Sequence, residues 1–240
     1  MSSLWKIPMI LSICISASLT YTPPTPRPDT KEKSKFGKDD TLTRLTESSW
    51  GPLIGNAVPW MLGMCEIAAV LASVYPSRSP ESIAHVLLLK PSTLPTSFAV
   101  TAPFIVGWIL AVSGAMLRSA CYRYLGSQFT FELAVKDRHR LITSGPYRVV
   151  RHPSYTGFVC VSLGLVVSEL CSGSWIRESG VLEHLLGQVL VGVWATYVIC
   201  IQVVLLQRVA KEDQVLRAQF GEEWKAWFRR TPYALVPGVY

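Results

Sequence analysis

The stretch His139–Gly157, HRLITSGPYRVVRHPSYTG, decides how the chain is read, because it sets ionisable and turn-forming residues between two strongly apolar segments. Gly145-Pro146 marks a turn. Pro153 fixes a second backbone position and biases His152 away from helical geometry, and an apolar helical run resumes after Tyr155. Arg148, Arg151 and His152 therefore fall at a bend. An arginine at the centre of a membrane helix costs roughly 2.5 to 3.5 kcal/mol on insertion scales, so charged groups beside hydrocarbon need a partner or a task. Anchoring by positive charge accounts for Arg148. It accounts neither for His152, which is mostly neutral near physiological pH, nor for the order Arg-His-Pro-Ser-Tyr.

Outward from this stretch, the composition places the whole chain in a membrane. Of 240 residues, 50% are hydrophobic and only 16% charged, and the apolar residues fall in blocks rather than at amphipathic spacing. The expected fold is all-α: a polytopic integral membrane protein with about five transmembrane helices and short connections. That leaves no room for a separate soluble catalytic domain, so an active site must lie among helix ends. Residues 1–52 read as a first hydrophobic segment with a polar linker, and 53–240 as one membrane-embedded domain. The net charge of +7 gathers in loops beside apolar runs rather than among aromatics on a globular face, which signals orientation in a bilayer and no nucleic acid. Cys14, Cys65, Cys121, Cys160, Cys171 and Cys200 stand singly, without CxxC or Cys/His ligand spacing. Neither a metal site nor a disulfide framework is expected.

In chain order, Leu4–Leu19 fits a first transmembrane helix or a signal peptide, and a retained helix is favoured because no small-x-small cleavage site follows it. Pro23–Ser49 is a polar linker rich in proline. Leu53–Tyr75 is long enough to span, with Glu66 as its single acid, expected to face other helices; an interhelical hydrogen bond or an entirely local role is favoured over a polar contact for a headgroup or cofactor. Pro76–Pro95 is a proline-punctuated loop. Phe98–Leu117 is the next span, ending at Arg118, and the basic connection from Arg118 to Arg151 places that side in the cytosol. Tyr155–Leu170 forms the fourth span and Leu185–Leu206 the fifth. The fifth delivers Arg208, Lys211, Glu212 and Asp213 to the same side as the central stretch. Gln214–Arg230, with Leu216, Phe220, Trp224 and Trp227 among charged neighbours, reads as a C-terminal amphipathic helix on the membrane surface.

Arg208 and Glu212 lie four apart and so share a helix face; alone they read as a surface pair, or together as a grip on one zwitterionic ligand. Joined to Arg151, His152 and Tyr155, they assemble cations, an imidazole, a phenol and a carboxylate on one rim. That mixture suits a ligand carrying both amine and carboxylate.

The runs GAMLRSACYRYLGSQFTFEL (Gly114–Leu133), HRLITSGPYRVVRHPSYTG, RVAKEDQVL and FGEEW, in this order and spacing, resemble the isoprenylcysteine carboxyl methyltransferase family. The resemblance covers roughly the second half of the chain. It implies S-adenosylmethionine as methyl donor, the C-terminal prenylated cysteine of CaaX-type proteins as acceptor, and the endoplasmic reticulum membrane as location, with the active site facing the cytosol. It further implies cofactor contacts at His139, Arg140, Leu141, Ile142, Tyr147, His152, Pro153, Ser154, Tyr155 and Glu212, with Arg208 on the substrate side. Arg208 would hold the acceptor carboxylate and Arg151 would join the rim around the donor. The chain departs from the family at Asp213, where a second glutamate is usual, and at Glu132, where a glutamine is often seen. A phospholipid N-methyltransferase of related build is the alternative enzyme, with His152 as base. A non-catalytic membrane scaffold is the alternative of another class.

Overall fold

The computed structural model describes residues 3–25, 50–75, 98–130 and 140–239. The expectations for Pro76–Pro95, for most of the polar linker, and for His139 and Glu132 thus fall outside the described residues. Among the described residues there are helices and turns but no strands. The protein is an all-α polytopic membrane protein, and five of its helices are long and apolar enough to cross a bilayer. These are α1 (Lys6–Tyr21), α2 (Trp50–Val74), α3 (Ala102–Leu125), α4 (Pro153–Leu170) and, after the short α5 (Trp175–Glu178), α6 (Leu185–Phe220). A final helix, α7, covers Glu222–Arg230.

Two differences from the sequence reading bear on the site. Helix α3 does not stop at Arg118 but continues to Leu125, because Arg118 is buried with partners of its own rather than left at a membrane surface. The amphipathic segment expected over Gln214–Arg230 is two pieces: α6 runs on to Phe220, and Gly221, at φ 51, breaks it from α7. A positive φ cannot continue a right-handed helix, and glycine adopts it without a Cβ penalty. At ~1.5 Å per residue α6 is about 54 Å long, against a hydrocarbon core of about 30 Å. The helix is therefore longer than one crossing needs, and its polar last third begins at Arg208.

The chain forms two compact units. The first comprises Met1–Ser18, Gly55–Ser113 and Cys160–Val198. Here a Cβ on Gly164 would lie 2.5 Å from the Ala111 nitrogen and from the Gly107 oxygen, so α3 and α4 approach through their main chains as small residues permit in membranes. Trp60 and Trp108 donate their indole N–H groups to Ser18 and Ser12 of α1, each at 2.8 Å. Glu66 does make an interhelical contact, and it is an ion pair: Lys6 Nζ lies 2.6 Å from its Oε1. Lys6 also donates to the Gly173 carbonyl at 2.7 Å and sits 4.5 Å from the centroid of the Phe104 ring, while the Trp175 N–H donates to Glu66 Oε2 at 3.2 Å.

The second unit comprises Leu19–Ile54, Gly114–Val159 and Ile199–Tyr240. Its core joins Cys121, Tyr147, Trp224 and Trp227, with Leu117, Leu125, Leu141, Ile142, Leu216 and Phe220 packed around them. Helices α3 and α4 again meet at glycine, since a Cβ on Gly157 would stand 2.7 Å from the Gly114 oxygen and 2.8 Å from Arg118 Cγ.

Candidate functional site

The bend at Arg151–Tyr155 is fixed by its own chemistry before any partner is considered. Pro153 opens α4, lacks an N–H and leaves His152 as the residue at which the chain turns into the helix; the Tyr155 N–H donates back to the His152 carbonyl at 3.0 Å. Arg118 holds this first turn from α3. Its Nη1 donates to both the carbonyl and the hydroxyl of Ser154 at 3.0 Å, its Nη2 to the Thr20 carbonyl at 3.1 Å and its Nε to the Tyr122 hydroxyl at 3.0 Å. The guanidinium also lies 5.2 Å from the Phe158 ring centroid. A planar fork with five donors reaches these four acceptors at once, one more than the three donors of a lysine could serve.

Against this bend α6 sets two consecutive carboxylates. Asp213 takes Arg151, whose Nε and Nη2 reach Oδ2 at 3.2 and 2.9 Å, and accepts from His152 Nε2 on Oδ1 at 2.9 Å. A carboxylate only accepts, so Nε2 carries the hydrogen and Nδ1 is the nitrogen left towards Glu212, whose Oε2 is 3.8 Å away. Burial pushes the Asp213 carboxyl up, but hydrogen bonds from His152 and Arg151 outweigh it and hold the group below its ordinary value. Asp213 is thus a fixed anion. Glu212 accepts from the Tyr155 hydroxyl at 2.6 Å, and the Tyr155 ring stacks on His152 with centroids 5.6 Å apart.

Exposure grades across the cluster. The His152 side chain is 4% exposed, Asp213 18% and Glu212 31%, so the rim opens towards solvent at Glu212. A carboxylate, an imidazole and a phenol presented in a partly desolvated setting form an acceptor and donor set suited to an ammonium group or to hydroxyls.

The structure brings Arg151, His152, Ser154 and Tyr155 of the bend together with Glu212 of α6. Pro153 is fully buried beneath them, and Arg208 is buried on α6 one turn before Glu212. The other expected contacts lie differently. Tyr147 is buried in the aromatic core, where burial pushes its phenol well above the ordinary value, reinforced by the neighbouring Cys121 thiol. Leu141 and Ile142 pack against that same core, and Arg140 is exposed, with its main-chain N–H on Gln128 Oε1 at 2.6 Å. Two residues that carry the cluster were not assigned a role from the sequence. Arg118 read as the end of a span and Asp213 as a departure from a pattern; the i+1 adjacency of Glu212 and Asp213 was the only signal for the latter.

Residues 107–176, which contain the Gly-Pro-Tyr turn and the whole Arg-His-Pro-Ser-Tyr bend, match the isoprenylcysteine carboxyl methyltransferase family. Among curated relatives, a probable protein-S-isoprenylcysteine O-methyltransferase of Oryza sativa subsp. indica is 29% identical over 121 residues, 43% of this chain and 63% of that protein. Protein-S-isoprenylcysteine O-methyltransferase A of Arabidopsis thaliana is 38% identical over 68 residues, 28% of this chain and 34% of the relative. The chain therefore spans less than two thirds of the length of the methyltransferases it matches. A delta(14)-sterol reductase of Mus musculus is also similar, 30% identical over 101 residues that make up 42% of this chain but 20% of the reductase. Similarity thus extends to an enzyme of another name, and the residues of the site must carry the functional argument. No solved structure matches the chain.

Proposed function

We propose that the protein transfers a methyl group from S-adenosylmethionine to the free carboxylate of a C-terminal prenylated cysteine, giving a methyl ester, in the endoplasmic reticulum membrane with its site on the cytosolic side. The observation that carries this reading is the convergence of the family's Arg-His-Pro-Ser-Tyr bend with Glu212 and Asp213 in one graded cluster. The cluster fits the donor. It offers a half-open carboxylate at Glu212 and an aromatic-imidazole stack beside it, while its strongest cation, Arg151, is already neutralised by Asp213.

S-adenosylmethionine, when bound, supplies an electrophilic methyl group on a sulfonium. The chain's residues then have three tasks. Glu212, with Tyr155 and His152, holds the donor's polar groups. Arg151 and Asp213 keep that trio in place by neutralising each other. Arg208, in the plane where the apolar part of α6 gives way to its polar third, holds the acceptor carboxylate while the prenyl chain stays in lipid. A C-terminal carboxyl has a pKa of about 3.3 to 3.7, so it is an anion at neutral pH and no base is needed. Its oxygen would accept the methyl group that the donor supplies, and no proton has to leave. Positioning and exclusion of water carry the reaction.

The test incubates purified protein with methyl-labelled S-adenosylmethionine and offers farnesylcysteine and phosphatidylethanolamine side by side. Label released as methanol by base from farnesylcysteine is expected. Label in phosphatidylethanolamine, or in neither, would overturn the reading.

A further inference from the structure

The last residues of the chain carry no charged or catalytic side chain after Arg230, and by composition they read as a trailing end. Their main chain does something specific. The N–H groups of Arg151 and His152 donate to the carbonyls of Tyr233 and Ala234 at 2.9 and 2.8 Å, two successive donors on two successive acceptors. The Thr156 hydroxyl donates to the Leu235 carbonyl at 2.7 Å, and Arg151 Nη1 donates to the carbonyls of Thr231 and Pro232. On the other side of the bend the Thr231 hydroxyl donates to the Arg148 carbonyl at 3.3 Å, and Trp227 Nε1 to that of Tyr147 at 3.1 Å.

We propose that residues 231–236 form a strap whose carbonyls hold Arg151 and His152 in register, making the tail a positioning element of the donor site. Proline after His152 biases that residue away from helical geometry, and the N–H groups of Arg151 and His152 lie outside the ladder of the helix that begins at Pro153. Those N–H groups would otherwise be buried without acceptors, because both residues are themselves buried. The strap supplies the acceptors, and its own anchoring sets the register: Ala234 is 4% exposed and Leu235 packs beside Val209 and Tyr155, whereas Tyr233 between Pro232 and Ala234 is 39% exposed. A slip of one residue would drive the Tyr233 ring into the space that holds a methyl group. The Arg151 side chain ties the two halves of the device together, since one face of its guanidinium serves Asp213 and the other the strap.

The geometry stands by itself, while the role assigned to it rests on the donor-site reading above. The probe is full-length protein with one glycine inserted between Pro232 and Tyr233, which keeps every tail residue but shifts the register. The comparison protein lacks only Gly238–Tyr240. Hydrogen exchange at the Arg151 and His152 amides and the affinity for S-adenosylmethionine are measured on both, with melting in detergent as a check on the fold. The insertion is expected to strip protection from these two amides while α3 stays protected, and to weaken donor binding on the order of tenfold or more with the acceptor KM little changed. The comparison protein should behave as wild type. Retained protection of both amides would overturn the strap, and lost protection with unchanged donor affinity would overturn its role. A global loss of protection is resolved by Thr156→Ser against Thr156→Val: rescue of donor affinity by serine alone supports the strap, and equal behaviour contradicts it. Wild-type protein that binds no S-adenosylmethionine would sink the donor-site reading, and exchange would still decide whether the tail holds the bend.

Discussion

The two compact units each bury a cluster of opposite charges, and they do so in opposite ways. In the first, Lys6 and Glu66 are 0% and 3% exposed, with Glu169 buried as well. In the second, the charges grade from buried Arg151 and His152 outward to Glu212. The sealed pair is closed on itself, with Lys6 spent on Glu66, a carbonyl and a ring, while one buried oxygen of Glu169 has no hydrogen-bond partner among the described residues. A graded cluster holds its inner members with each other and leaves its outer carboxylate for something else. The difference separates a structural use of buried charge from a binding one, although both would look alike in a count of ion pairs.

The largest expected effect falls on the sealed pair. Lys6→Met removes the partner of a buried carboxylate, and breaking such a pair costs about 3 to 5 kcal/mol. The variant should melt well below wild type in detergent, and adding Glu66→Gln should recover most of the loss. A single variant as stable as wild type would erase the contrast between the units.

Next in size is Asp213→Asn, which leaves Arg151 buried beside a neutral amide. Hydrogen bonds to charged groups are worth about 1.5 to 3 kcal/mol, so donor affinity should fall by about tenfold to a hundredfold, with less change in melting than Lys6→Met produces. The pH dependence has a definite sign. The folded carboxyl titrates below its ordinary value of 3.8, so its contribution is fully present above that pH and is lost only as pH falls through the lower folded value. Donor binding measured between pH 5 and 8 should therefore show no step from Asp213. A step that Asp213→Asn removes would contradict its assignment as a fixed anion.

These two clusters also mark what was legible in the chain. The apolar blocks announced the five spans, and the His152-Pro153 order announced the bend, because hydropathy and proline act locally. Glu66 stood out as a lone acid in a span, but Lys6 did not stand out as its partner: a lysine ahead of an apolar run ordinarily anchors it. Arg118 was hidden for the same reason. Its role depends on Gly157 letting α4 come close, a fact of packing between residues forty apart. The strap was invisible because main-chain carbonyls have no letter in a sequence.

The glycine contacts offer a finer comparison. Alanine at Gly164 or at Gly157 would press a methyl group onto main-chain atoms of α3, at 2.5 and 2.7 Å respectively, and overpacking of this kind costs about 1 to 3 kcal/mol. Both variants should lose stability, but Gly157→Ala alone should weaken donor binding in the folded fraction, since it displaces Arg118 and the turn that Arg118 holds. Equal donor affinities in the two would remove the functional distinction. Smaller still is Tyr155→Phe, which takes one hydrogen bond from a carboxylate that solvent also reaches; a drop in donor affinity of up to about tenfold is expected.

The central claim is that the graded cluster binds the methyl donor through Glu212 and that Arg208 addresses the acceptor. Equilibrium binding of S-adenosylmethionine to wild-type protein, Glu212→Gln and Arg208→Lys tests it most directly, with turnover on farnesylcysteine measured alongside. Wild type should bind. Glu212→Gln should bind the donor at least about tenfold more weakly, whereas Arg208→Lys should bind it normally yet turn over slowly, because lysine keeps the charge but loses the fork that aligns both carboxylate oxygens. Unchanged donor affinity in Glu212→Gln, or loss of donor binding in Arg208→Lys with Glu212→Gln intact, would contradict the account.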